Sequence, residues 1–163
     1  MYDVRIIGDD VLRKQALPVT EFDELLARIA EGMLETMHIK DGIGLAAPQV
    51  GISQRLIVVD ISPIEKSAEA MIFVNPEIVG SWGEVVLEEG CLSIPGINEE
   101  VTRPEEIGLK YYTLDGKEKT VEYNGWMARV VQHEVDHLNG ILFVDYLSTL
   151  KRKLVASKLS VLV

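Results

Sequence analysis

Residues 125–140 read Gly-Trp-Met-Ala-Arg-Val-Val-Gln-His-Glu-Val-Asp-His-Leu-Asn-Gly, and this stretch decides the fold. Trp126, Met127, Val130, Val131 and Val135 make it apolar enough to be buried, which predicts a helix from Trp126 to about Leu138. Gly125 opens the helix and Asn139–Gly140 closes it. His133 and His137 stand four residues apart. At 3.6 residues per turn they differ by only about 40° around the axis, so both imidazoles leave one face. Such a pair can meet a single divalent metal. Glu134 is next to the first imidazole, where its carboxylate can serve a water as general base. The chain has only three histidines, so the HExxH pattern is a rare accident and a strong metal signal.

Outward from this helix the period changes. Leu56–Val59, Met71–Val74, Val85–Leu87, Ile107–Tyr112 and Thr120–Tyr123 read as strands. Asp115–Gly116 marks a hairpin turn between the last two. Towards the N-terminus, Phe22, Leu25, Leu26, Ile29, Met33, Leu34 and Met37 recur at three- and four-residue steps. They predict an amphipathic helix over about 20–38, with Thr20 as N-cap and Asp41–Gly42 as stop. Arg5–Ile7 and Asp9–Arg13 form a short extended or turn-like lead-in. The expected architecture is α+β: short, mostly antiparallel strands around a central HExxH helix, with an N-terminal helix and a short C-terminal helix. No repeat, linker or low-complexity tract interrupts the chain.

Length and charge narrow the function. The 163 residues suit one domain with a real hydrophobic core. The formal charge is −10, from 16 Lys+Arg against 26 Asp+Glu, which disfavours DNA as a partner. No apolar run approaches the ~20 residues of a bilayer span, so no membrane partner is expected. Neither a signal-peptide core nor a transit pattern follows Met1. A lone cysteine, Cys91, rules out an intrachain disulfide. Together these features lead us to expect a cytoplasmic protein.

Two imidazoles do not complete a metal site. Metzincin proteases extend the motif to HExxHxxGxxH, and this chain matches as far as Gly140. Position 143, where the third histidine would fall, is Phe143. Thermolysin-like proteases use a downstream glutamate, yet no Glu follows Glu134 and the later carboxylates are Asp145 and the C-terminus. An upstream donor is therefore needed. Cys91, in Glu88-Glu89-Gly90-Cys91-Leu92-Ser93, is the better candidate. Two imidazoles, a thiolate and an open position make a catalytic arrangement rather than a structural one. Gly90 lets the backbone come close to the metal. A third unusual stretch, Gly42-Ile43-Gly44-Leu45-Ala46-Ala47-Pro48-Gln49, leaves room for another chain against its backbone. It fits neither a Walker loop nor GxGxxG. Gln49 among apolar neighbours is a buried amide that must find a partner.

Taken together, the three stretches resemble the peptide deformylase family. Its motifs GφGLAAxQ, EGCLS and QHExDH, with φ apolar, stand here as Gly42–Gln49, Glu89–Ser93 and Gln132–His137, in the family's order and with compatible spacing. The resemblance runs from the N-terminus to about Leu147, giving a catalytic domain over 1–147 and a tail, helical in expectation, over 148–163. It implies removal of the formyl group from the N-formyl-methionine that starts nascent proteins, in the bacterial cytoplasm. By the same resemblance, Cys91, His133 and His137 hold one divalent metal per chain. Fe²⁺ would be the physiological ion, with Zn²⁺, Ni²⁺ or Co²⁺ in isolated protein. Glu134 would be the acid/base, while the Gln49 side-chain amide and the Leu92 backbone N–H would face the formyl oxygen.

The resemblance also assigns the substrate pocket to Ile43, Gly44, Leu87, Glu89, Gly90, Trp126, Arg129, Val130 and His133. Arg129 fits a methionine pocket poorly, so we expect it at the rim, with its stem packed and its charge in water. After EGCLS the chain reads Ile94-Pro95-Gly96-Ile97-Asn98, with no arginine where many relatives contact the substrate backbone. The expected partners are N-formyl-methionyl nascent peptides, with a transient ribosome contact through Lys151, Arg152 and Lys153 set against a merely solvated helix face. The chain is expected to be a monomer. His38, near the end of the first helix, is expected at the surface without a catalytic role. Two other readings stay open on the residues alone. A zinc endopeptidase is opposed by Phe143, and a non-catalytic metal-stabilised module is opposed by the intact Glu134 and Gln49.

Overall fold

The computed structural model describes residues 1–160; the last three residues of the tail expected to be helical lie outside the described residues. Among the described residues, seven strands and three α-helices follow in chain order, and antiparallel pairing runs throughout both sheets, in line with the α+β reading.

Helix α1 spans Glu24–Ile39 rather than starting near residue 20. The N-cap is Asp23, not Thr20: its carboxylate accepts from the Leu26 N–H at 3.0 Å. This satisfies one of the amide groups that a helix start leaves orphaned. Phe22 therefore lies outside the helix, where its ring meets Tyr112. Met33, Met37, Ala30 and Leu26 form the buried face of α1.

Strands β1 (Gly44–Ala46), β2 (Leu56–Val59), β3 (Met71–Trp82), β6 (Glu106–Tyr112) and β7 (Glu118–Asn124) make one sheet in the order β1-β2-β3-β6-β7. Every residue of β2 is buried, which explains its unbroken Leu-Ile-Val-Val run. Strands β4 (Val85–Cys91) and β5 (Ile94–Arg103) form a separate two-stranded sheet. Strand β4 thus runs four residues beyond the expected Leu87 and ends on Cys91 itself. Strand β5 has no counterpart in the sequence reading. Three residues, Pro95–Ile97, are interposed between the pairs Cys91↔Ile94 and Gly90↔Asn98, and this bulge blurs its alternation.

Helix α2 (Gly125–Leu138) packs on the five-stranded sheet through Ala128, Val131, Val135 and Leu138, which share a core with Ile57, Phe73, Ile107 and Leu109. A second core joins α1 to β2. A third sets Ile94, Ile97 and Val101 of β5 against Leu142, Phe143, Leu147 and Val155. Val155 belongs to α3 (Thr149–Leu159), so the C-terminal helix braces the hairpin. Among the described residues, no helix is long and apolar enough to cross a membrane.

Candidate active site

Helix α2 delivers His133 and His137 from one face, their ring centroids 5.0 Å apart and both side chains buried. The end of β4 brings Cys91 to meet them. Cys91 Sγ lies 3.3 Å from His137 Nε2, and the donor atoms of Cys91, His133 and His137 all fall within 4.8 Å of one another. For a tetrahedral cation with Zn–S near 2.3 Å and Zn–N near 2.0 Å, neighbouring ligand atoms sit roughly 3.5 Å apart. The observed spacing fits that arrangement. The Nδ1 of His133 faces Glu89 Oε1 at 2.9 Å, which leaves Nε2 as the nitrogen for a metal.

The surroundings shift the two imidazoles in opposite directions. Burial holds His137 well below the ordinary histidine range, and the charges of His133 and Arg103 push the same way, so the ring stays neutral as a ligand must. His133 moves in the opposite direction. Burial disfavours its charge, but hydrogen bonds to Cys91 and Glu89 and the charge of Glu134 outweigh it.

Glu134 is buried, and burial is the main cause pushing its carboxyl up to about 7. Its Oε1 has no hydrogen-bond partner, an orphaned acceptor aimed at no protein group. Its Oε2 passes so close to Gly44 that a Cβ there would lie 2.5 Å away. A carboxyl that can hold or release a proton near neutrality, with a free oxygen, suits acid/base work.

Gln49 is almost fully buried and its amide orientation is set on both ends. Oε1 accepts from the Ala46 N–H at 2.9 Å, while Nε2 donates to Ser93 Oγ at 3.1 Å and lies 3.5 Å from Cys91 Sγ. Leu92 occupies the turn between β4 and β5, with its side chain over Gly42.

These groups open onto a cavity of about 400 Å³. Of the residues the sequence assigns to the site, Ile43, Gly44, Gln49, Glu89, Gly90, Cys91, Leu92, Trp126, Arg129, Val130, His133 and Glu134 line it. His137 sits behind the wall as a buried donor. Leu87, half-buried opposite Val101, is outside the lining. His38 is at the surface, as expected, with its Nε2 2.7 Å from Asp60 Oδ2.

Arg129 departs from expectation. Its charge is not in water: the side chain is 2% exposed. Nη1 donates to Glu89 Oε2 at 2.6 Å and to the Val101 carbonyl at 2.8 Å, and Nη2 donates to the Val85 carbonyl at 2.8 Å. A guanidinium fork supplies the several parallel donors that a lone stem-packed charge would not need. Glu89 is the shared acceptor of a larger cluster. Arg103 grips it through Nε and Nη2 and reaches Asp136 Oδ2 with Nη1 at 2.8 Å. Tyr146 Oη donates to the same Asp136 oxygen. Although burial opposes charge on Glu89, His133 and Arg103 hold its carboxyl well below the usual range. Arg103, Asp136, Tyr146 and Ser93 were not recognised from sequence. Asp136 and Ser93 lie inside the quoted motifs, the one signal that could have found them.

Two imidazole donors on a helix, a cysteine sulfur on a hairpin and a proton-holding carboxylate in a cavity define a metallohydrolase. The polypeptide deformylase family model matches residues 1–153, and the chain belongs to that family. It is 46% identical to peptide deformylase from Thermodesulfovibrio yellowstonii over 156 residues, covering 96% of this chain and 94% of that one. Identity to the Thermotoga maritima peptide deformylase is 49% over 162 residues, covering 98% and 94%. Among solved structures, a Legionella pneumophila peptide deformylase superposes with a TM-score of 0.92 at 46% identity, covering 98% of this chain and 94% of its own. A Synechococcus elongatus peptide deformylase in complex with actinonin gives 0.90 at 41% identity, covering 98% and 86%. The chain is an enzyme that removes the formyl group from N-formyl-methionine at the start of new proteins.

Proposed function

We propose that Cys91, His133 and His137 hold the catalytic cation, that Glu134 is the proton carrier, and that Gln49 and the Leu92 N–H receive the charge on the formyl oxygen. One observation carries this reading. Three metal donors converge within 4.8 Å beside a buried carboxylate whose Oε1 has no partner, at the wall of an open cavity. A cation on that donor set would supply Lewis acidity towards water and the formyl carbonyl. Glu134 takes a proton from the attacking water as its oxygen bonds to the formyl carbon. Negative charge then gathers on the carbonyl oxygen, where the Gln49 Nε2–H and the Leu92 N–H donate to it. Ser93 and Ala46 keep the Gln49 amide from rotating. As the C–N bond breaks, Glu134 returns the proton to the nitrogen, and formate and a free amine leave.

Ile43, Trp126 and Val130 form the apolar wall for the methionine side chain; Leu87 is assigned to the pocket by family resemblance, although it lies outside the cavity lining. Gly44, Glu89, Gly90, Arg129 and His133 complete the surround. Fe²⁺ is the ion we assign in the cell, on family membership alone; Zn²⁺, Ni²⁺ or Co²⁺ would occupy the same donors in isolated protein. The working form is a monomer in the bacterial cytoplasm. Helix α3, with Lys151, Arg152, Lys153 and Lys158 and no acidic side chain, is the segment for a transient ribosome contact. Lys151 already faces Glu99 at 3.5 Å, so Arg152 and Lys153 are the freer charges.

The test is formate release from a short formyl-methionyl peptide by anaerobically purified, Fe²⁺-loaded protein, with a chelated control. Metal-dependent release that collapses in Glu134→Ala, while metal content holds, is the expected result. Full turnover in that variant would overturn the assignment of Glu134.

A further inference from the structure

The proposed metal donors come from two layers that share no strand ladder. Cys91 belongs to the β4–β5 hairpin, and His133 and His137 belong to α2 on the five-stranded sheet. The distance from sulfur to imidazole therefore depends on how the hairpin seats on the helix. Arg129 joins them most broadly, beside the single Arg103–Asp136 and Glu89–His133 links. From α2 its guanidinium reaches a β4 carbonyl at Val85, a β5 carbonyl at Val101 and the Glu89 carboxylate two residues before Cys91. The same Glu89 orients the His133 ring through Nδ1.

We propose that Arg129 is a positioning residue for the metal, a clasp that sets the hairpin's Cys91 against the two histidines of α2. This rests on the metal-donor assignment made above.

Fold stability alone is a poor explanation for a guanidinium here. Replacing a buried ion pair by a well-packed apolar side chain is often neutral or stabilising. In addition, Arg129 keeps its Nε buried with no partner, a cost that an aliphatic residue would avoid. What an aliphatic residue cannot do is grip both hairpin strands and a carboxylate at once. Nor can lysine, whose ammonium is a point charge without the planar fork. Arg103 would still hold Glu89 after the change, so the loss would fall on hairpin registry rather than on the Glu89 charge.

The experiment compares purified wild type, Arg129→Lys and Arg129→Leu, each loaded with one equivalent of Co²⁺. Two signals are followed without substrate: the thiolate-to-Co²⁺ absorption band, and the rate of Co²⁺ loss to excess chelator. A core variant remote from the hairpin, Leu26→Ala, serves as the control for general destabilisation, with thermal unfolding measured on all four. Removing a group that orients a metal ligand typically costs 10–100-fold in metal affinity. We expect Co²⁺ to leave both Arg129 variants about tenfold or more faster than wild type, with a shifted or weakened thiolate band. Leu26→Ala should keep wild-type release at comparable thermal loss. Equal release from Arg129→Lys and Leu26→Ala would overturn the clasp while leaving the metal assignment intact. Failure of the wild type itself to bind Co²⁺ would overturn both.

Discussion

A glycine packs tightly against the proton carrier, and this makes Gly44→Ala a sharp perturbation. Gly44 lies in β1, paired to Val59, and its φ is not in the left-handed region, so alanine is conformationally acceptable there. Space is the difficulty. An added Cβ would sit 2.5 Å from Glu134 Oε2 and 2.7 Å from Val130 Cγ1. To regain the 3.4 Å of ordinary contact, the carboxylate must retreat by about 0.9 Å. A misplacement near 1 Å at a reacting centre can cost ~10²-fold, equivalent to about 2.7 kcal/mol of barrier. The three atoms nearest that Cβ belong to Glu134 and Val130 rather than to the His and Cys donors, so metal content should be unchanged. The assay is formate release at saturating Fe²⁺ alongside metal analysis of the same sample. The matched control is Gly42→Ala, whose Cβ meets the movable Leu92 Cδ1 at 2.8 Å and should cost much less. Wild-type turnover in Gly44→Ala would refute the idea that β1 holds Glu134 in place. Parallel loss of metal would show that the clash spreads to the ligands instead.

The remaining expectations can be checked with few proteins. Cys91→Ala should weaken metal binding itself, whereas Glu134→Ala should retain metal and lose turnover; equal metal loss in both would contradict the separation of roles. Ser93→Ala removes the acceptor that fixes Gln49 Nε2 at 3.1 Å. It should lower kcat, up to the ~10²-fold typical of a lost oxyanion donor, with little change in KM; a KM effect alone would point to ground-state binding. At acid pH the Arg13–Asp145 pair becomes visible. Burial favours the neutral carboxyl of Asp145, but Arg13 and the Leu142 N–H outweigh it, so its pKa lies below the ordinary carboxylate range. Its stabilisation is present above the unfolded value of about 3.9 and is lost as pH falls through the lower folded value. Arg13→Met should therefore raise the pH midpoint of acid unfolding followed by circular dichroism, and an unmoved midpoint would remove the pair from the account.

How much was legible in the sequence depended on how local the physics is. Helix α2 could be read almost to the residue because its apolar spacing, its HExxH pair and its Asn139–Gly140 stop all lie within one stretch. The start of α1 was misplaced because Thr20 and Asp23 are both good caps, and only the Asp23 bond to Leu26 decides between them. Strand β5 was invisible for a different reason. Pro95, Gly96 and Asn98 read as loop, and the bulge at 95–97 puts Ile94, Ile97 and Val101 out of period-two spacing. The convergence of Cys91, His133 and His137 was legible because metal-ligand chemistry restricts residue type and Cys91 is the lone cysteine. Arg129 was not, because its partners are Val85, Glu89 and Val101, 28 to 44 residues upstream. A helix arginine normally reaches water, and nothing within one turn of it announces three buried acceptors.

The bulge in β5 has a consequence for how enzymes of this shape diversify. Its outward residues Pro95 and Gly96, with Asn98 beyond, line the cavity mouth, while Ile97 turns inward to the core behind the hairpin. Gly96 adopts a left-handed φ of +76° with nothing within 4 Å of a would-be Cβ, so its surroundings are roomy even where its backbone is particular. The arc is therefore a place where lineages can lengthen, shorten or recolour the substrate channel. Ile94 and Asn98 bound it as fixed posts, and the chemistry stays rooted on either side. Grafting arcs of different length between those posts would reshape this wall of the cavity while leaving Cys91, His133, Glu134 and His137 in place.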